Sequence, residues 1–344
     1  MTSISTNGQF MRVQTQNMAI QQRMTDLTEQ VSSGKKTSVY GGLGADARQS
    51  IDLRGQVTEL DTYQKNIASA QLRVTSAVET MGRINEVARD VREQLTKLTG
   101  NPPPNQAVIQ DIAKRGYDEV AQLLNTKVEG RYIFAGSDTT NPPFPDAAQF
   151  FTDIQTEVTA FAANGAPATI AATTAIATDD TYFSTALQAA DPAPLRARVD
   201  RNLDLSYQVR ANGPDSPPPP AGQLEPFREI LRGLATAANL TYDTTNPASF
   251  TDYNTVLDTT RNALDSAAKN LDSHVGILGS TYERMKALDS QHDITATTAR
   301  TNLMDIEDVD MADAISKLDL IKTQLQASYK VTSTLHQVNL IDFL

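Results

Sequence analysis

Apolar residues recur near the start of the chain at Phe10, Val13, Ile20, Met24, Leu27 and Val31, with Asn17 in the one polar slot of an alternation of three and four. One apolar side chain roughly every 3.5 residues draws a narrow stripe along a helix, the seam of a coiled coil. The stretch "SSGKKTSVYGGLGAD" interrupts it, since Gly34, Gly41, Gly42 and Gly44 disfavour a continuous helix. The same spacing resumes at Leu53 and runs through Leu60, Tyr63, Ile67, Ala70, Val74, Ala77, Met81, Ile84, Ala88, Val91, Leu95 and Leu98, with Gln56 as its polar slot. "GNPPPN", Gly100 to Asn105, stops this second helix by removing backbone donors and fixing φ.

The middle of the chain reads differently. A helix is predicted from about Gln106 to Val128, then a short strand at Tyr132, Ile133 and Phe134 between Gly130 and Gly136, then a turn at Asn-Pro-Pro. From there to about Arg210 the chain is rich in Ala, Thr, Asp and Pro, with weak alternation in "IQTEVTAF" and "LDLSYQV", which predicts a small β-containing domain. "GPDSPPPPAG" reads as an exposed polyproline loop. Heptads then return at Leu264, Ala267, Leu271, Val275, Leu278, Tyr282, Met285, His292, Ala296, Ala299, Leu303 and Ile306, with Asp289 as a polar slot, and continue through Met311, Ala314, Leu318, Ile321 and Leu325. Long helices at both ends and an unlike middle predict a hairpin. The fold class is mainly α: a coiled-coil rod of N- and C-terminal segments with a small β-containing outer domain inserted in the middle.

Composition narrows the partners. The 344 residues are 40% apolar but only 6% aromatic, without Trp or Cys, which favours helices packed through small side chains and excludes thiol chemistry. A net charge of -11 leaves no basic stripe to neutralise phosphates, so neither nucleic acid nor anionic lipid is expected as a partner. The first residues lack the basic segment and apolar core of a Sec signal peptide, and no apolar run approaches the length of a membrane span, so no membrane insertion is expected.

Chemistry is sparse. His274, His292 and His336 lie far apart with no ligand-spaced partners, and "SSGKKTS" lacks the glycine and hydroxyl positions of a phosphate loop. Asp305, Glu307, Asp308, Asp310 and Asp313 crowd one short stretch without the glycine of a calcium loop, and fit a helix break where one acid caps the next helix. "NLT" at Asn239 is a sequon too short to exceed chance. The reading is therefore of a non-enzyme without metal or cofactor. What remains is grease: Met11, Met18, Ala19, Ile315, Leu320 and Val331 fall off the seam, and the chain closes on "VNLIDFL". A helix apolar on more than one stripe is buried on more than one side, which calls for other subunits.

"SSGKK" closing the first heptad helix, with "IEDVDMADAISKL" and "LQASYKVTSTLHQVNLIDFL" at the other end, resembles the terminal regions of the bacterial flagellin superfamily. Within it, "GRYIFAGSDTTNPPF", "LSYQVRANG" leading into "FREILRGL", and an ending in Asp-Phe-Leu are more similar to hook-associated members at the hook-filament junction than to the filament flagellin itself, which stays as the alternative. One departure is the solitary Asp46, where members usually carry a paired-Asp stretch. The resemblance implies export without a Sec signal to the extracellular flagellum, and self-assembly beside a neighbouring hook-associated protein and flagellin. It also implies capture of the C-terminal segment by a cytoplasmic export chaperone. It implies terminal helices at 1–42 and 303–344, a helical rod at 43–136 and 211–302, and a variable outer domain at 137–210. The expected assembly residues are Phe10, Val13, Ile20, Met24, Leu27, Val31, Leu318, Ile321, Leu325, Leu335, Val338, Leu340, Phe343 and Leu344.

Overall fold

The computed structural model describes residues 3–98, 105–189, 195–213, 224–242 and 249–341. Among the described residues there are eight α-helices: α1 (Ser3–Ser33), α2 (Ala47–Thr96), α3 (Gln106–Leu124), α4 (Ala147–Thr159), α5 (Phe161–Thr178), α6 (Pro226–Asn239), α7 (Ser249–Glu307) and α8 (Met311–Ile341). Two antiparallel hairpins complete the described residues, β1 (Lys127–Val128) with β2 (Arg131–Tyr132), and β3 (Arg196–Asp200) with β4 (Leu203–Ser206). The chain separates into two compact units, one of residues 1–62 and 292–344 and one of residues 63–291, with α2 and α7 contributing to both.

In the second unit the seam of α2 is buried where its spacing predicts, from Ile67 at 0% exposure through Met81, Ile84 and Ala88 to Leu98. Around it lie Tyr117, Phe134, Phe144, Phe150, Phe183 and Tyr253, all fully buried. Each such side chain contributes roughly 1.5–3 kcal/mol of burial. Helix α6 is enclosed on every side, opened by Pro226 where a missing N–H costs nothing. Its buried charges are all met. Arg228 donates to the carbonyls of Asn212 (2.6 Å) and Ala177 (2.9 Å), pairs with Asp180, and lies 4.7 Å from the Phe183 ring centre. Arg232 pairs with Glu229 one helical turn away. The sequon amide of Asn239 is likewise buried, donating to Ala235 O at 2.8 Å.

Three local expectations are corrected here. "IQTEVTAF" forms no strand: Ile154 and Val158 sit on α4 and Phe161 opens α5, and these three, spaced by four and three, are the ones buried. An eight-residue window holds too little to separate that helical period from alternation. The strand expected at Tyr132–Phe134 is only β2, turned back through Glu129 (φ 52°) and Gly130 (φ 76°), the paired positive φ of a tight hairpin. On α2 the polar slot Gln56 is exposed and Val57 takes the half-buried position, because an order of four then three serves the seam as well as three then four. "LDLSYQV", by contrast, does begin as β4. Within 137–210, Phe144 and Phe150 lie in one apolar cluster with Leu234 and Tyr253, while Ala197, Val199 and Leu205 join a second cluster with Ile67, Ala70 and Met285.

Candidate assembly surface

Within the first unit two breaks in the helices lie side by side. Gly34, at φ 71°, ends α1 with its N–H on Gln30 O at 2.9 Å, the left-handed stop that glycine adopts without steric cost. The opposite break, between α7 and α8, pairs with it as an antiparallel bridge of Lys35 and Asp308. Lys36 N–H donates to Glu307 O (2.7 Å) and Val309 N–H to Gly34 O (3.0 Å). The Lys36 ammonium donates to the carbonyls of Asp305 and Ile306 at 2.7 and 2.8 Å, neutralising the negative end of α7. Asp310 caps α8, its carboxylate accepting from the N–H groups of Ala312 (2.9 Å) and Asp313 (3.1 Å).

Glu307 is the centre of this node. Buried at 5% exposure, its carboxylate accepts from Ser50 Oγ (2.5 Å) and from Arg54 through two parallel bonds of 2.7 and 2.6 Å, with the Lys35 ammonium at 3.4 Å. The Arg54 hydrogen bonds, aided by Ser50 and Lys35, pull its pKa down to about 2 against the cost of burial.

From the node, α1 and α8 run away as an antiparallel pair. Val13, Asn17, Ile20, Met24, Leu27 and Val31, with Gln30, are the half-buried positions among the described side chains of α1, and Ala314, Leu318, Ile321, Leu325, Ser328 and Thr332 the shielded ones of α8. The polar slot of the seam is filled, Ser328 donating to the side-chain oxygen of Asn17. Gln21 reaches Tyr329 Oη at 2.7 Å beside it. Off the seam the picture reverses. Met11 and Met18 are 61% and 56% exposed and, at about 100° per residue, project from the back of α1. Ile315 and Tyr329 stand out on one flank of α8, and Leu320 and Val331 on the other.

Residues 4–139 match the N-terminal helical region of bacterial flagellin and residues 262–344 its C-terminal helical region, more than half the chain between them. The chain belongs to the bacterial flagellin family. No curated protein matches it. Among solved structures it is similar to a protein from Vibrio parahaemolyticus assigned as a flagellar hook-associated protein, with a TM-score of 0.53 at 12% identity over 76% of this chain and 97% of the other. It is also similar to Bacillus cereus FlgL, with a TM-score of 0.44 at 15% identity over 75% of this chain and 99% of the other. Family membership makes this flagellin-like chain a structural component of the extracellular bacterial flagellum, built by self-assembly.

The structure brings the expected assembly residues of this flagellin-like chain together unevenly. Val13, Ile20, Met24, Leu27 and Val31, with Leu318, Ile321 and Leu325, occupy the seam between α1 and α8 of one copy. The side chains of Phe10, Leu335, Val338 and Leu340, and all of Phe343 and Leu344, lie outside the described residues. The apolar groups left open are the off-seam ones. Glu307 is the residue whose role the sequence did not disclose: its partners Ser50 and Arg54 are 257 and 253 positions away. The crowding of acids at a helix break was the only signal. Among the described residues no group of three or more His, Asp or Glu is arranged to hold a metal, and no helix is long and apolar enough to cross a membrane.

Proposed function

We propose that this protein forms the junction between hook and filament, assembling with copies of itself through α1 and α8. The observation that carries the reading is the set of large apolar side chains standing in solvent on both helices: Met11, Met18, Ile315, Leu320 and Val331, each more than 40% exposed. Grease on two flanks of a pair whose seam is already filled needs neighbours to cover it. The likeness to a hook-associated protein favours the junction over the filament. The same terminal segments, 1–42 and 303–344, serve as the inner assembly region, and the copies contact a neighbouring hook-associated protein on one side and flagellin on the other. Export proceeds without a Sec signal through the flagellar secretion apparatus, with the C-terminal segment shielded by a cytoplasmic chaperone. Deleting the gene tests the assignment. Cells that keep hooks and release flagellin into the medium support a junction protein; bare hooks with no flagellin to release identify the filament subunit instead.

A further inference from the structure

The second unit holds a small cavity whose lining includes Arg73, Arg131, Tyr132, Leu195 and Gln208. Two buried donors face no acceptor, Arg73 Nε–H and one Gln208 Nε2 group. The orientation of Gln208 is set by its other end, because its oxygen accepts from Leu195 N–H and the amino group is therefore the free one. Arg131 is a second arginine of the lining, and the Lys127 ammonium stands 4.5 Å from the Tyr132 ring centre. Among the described residues no carboxylate lines the cavity, in a chain of net charge -11. A guanidinium cannot shed its proton, so a buried N–H of this kind is stable only with an acceptor. The free volume is about 10 Å³, enough for the centre of one small atom.

We propose that the cavity binds a single small monovalent inorganic anion of chloride size, held by Arg73 and Gln208. Two unpartnered donors on residues of the same lining, beside a second arginine, make a negative occupant favourable, because a hydrogen bond to an ion is stronger than one to a neutral acceptor. The site lies outside the assembly surface and stands independently of the junction reading.

Thermal unfolding of the full chain, measured by circular dichroism in sodium chloride and in sodium gluconate at equal ionic strength, tests it. Chloride raises Tm by about 2–4 °C over gluconate, a shift of the size that modest ligand linkage gives a domain this large. Arg73→Met removes that difference. Gln208→Glu builds a carboxylate acceptor into the cavity, so it unfolds at the same Tm in both salts and remains informative if the arginine variant fails to fold. Crystals grown in bromide show an anomalous peak between Arg73 and Gln208. An equal Tm for the unaltered protein in the two salts, or a chloride response that survives in Gln208→Glu, overturns the proposal and leaves a water in the cavity.

Discussion

Residues 63–291 enclose six aromatic side chains at essentially no exposure, whereas in the other unit the buried apolar residues among those described are only Leu60, Ala296, Ala299, Ala314 and Leu318. The exposed large apolar residues are distributed the opposite way. Among the described residues Leu72, Val108 and Ile277 belong to residues 63–291, and the other twelve, from Met11 to Val331, to the terminal unit. Both regions are built from the same heptad grammar, so periodicity is not what distinguishes them. The number of sides on which a helix is covered is. The central unit completes its own packing within one copy; the terminal unit completes one seam and one polar node, and leaves large apolar side chains on its remaining faces exposed.

The largest expected effect sharpens the first half of that contrast. Phe150 packs against Phe144 and Tyr182 with ring centres 5.7 and 5.2 Å apart, so Phe150→Ala is expected to cost about 3–5 kcal/mol in urea unfolding. A loss under about 1 kcal/mol would mean that the aromatic cluster is not the source of stability. Next comes the node. Glu307→Gln strips the charge from the paired hydrogen bonds to Arg54 and is expected to cost about 1–3 kcal/mol. Hydrogen exchange at Lys36 and Val309, whose N–H groups bridge the two breaks, is the local readout, and unchanged protection there would contradict it.

Acid separates the two units further. Burial lowers the pKa of His274 below its ordinary 6.5, so the folded central unit refuses a proton that the unfolded chain accepts. Stability from this source is intact above 6.5 and is lost as pH falls below it. The Glu307 contribution is present above its ordinary 4.5 and is lost as pH falls through about 2. A Tm profile should therefore begin to fall near pH 6.5 in the unaltered protein and lose that first descent in His274→Gln. An identical descent in the variant would assign the effect elsewhere. The smallest effect on the monomer is expected off the seam. Leu320→Gln should change its stability by no more than about 0.5 kcal/mol while impairing assembly in sedimentation, since this side chain is 59% exposed.

The seam of α2 could be read from Leu60 to Leu98 because every third or fourth residue is apolar and the same residues are buried. Periodicity serves where one stripe is buried and the others are wet. It fails for α4 and α5, which are short and rich in Ala and Thr, α5 being broken internally at Gly165 (φ 78°) just before Pro167. It fails again for the node. The pairing of Arg54 with Glu307 depends on two helix breaks meeting across the length of the chain, and no local pattern encodes that meeting. At the assembly surface, spacing found the seam of α1 and α8 and composition found the grease outside it.

The most direct test of the account is amide hydrogen exchange along α1 and α8, compared between isolated subunits and their assembled form. With one half-buried seam between them, both helices should exchange readily in the isolated subunit and slow by about 100-fold or more on assembly, a gain of roughly 2.7 kcal/mol in local stability. Equal, strong protection in both states would show that a single copy already shelters these helices, and would contradict the claim that their exposed apolar faces await other subunits.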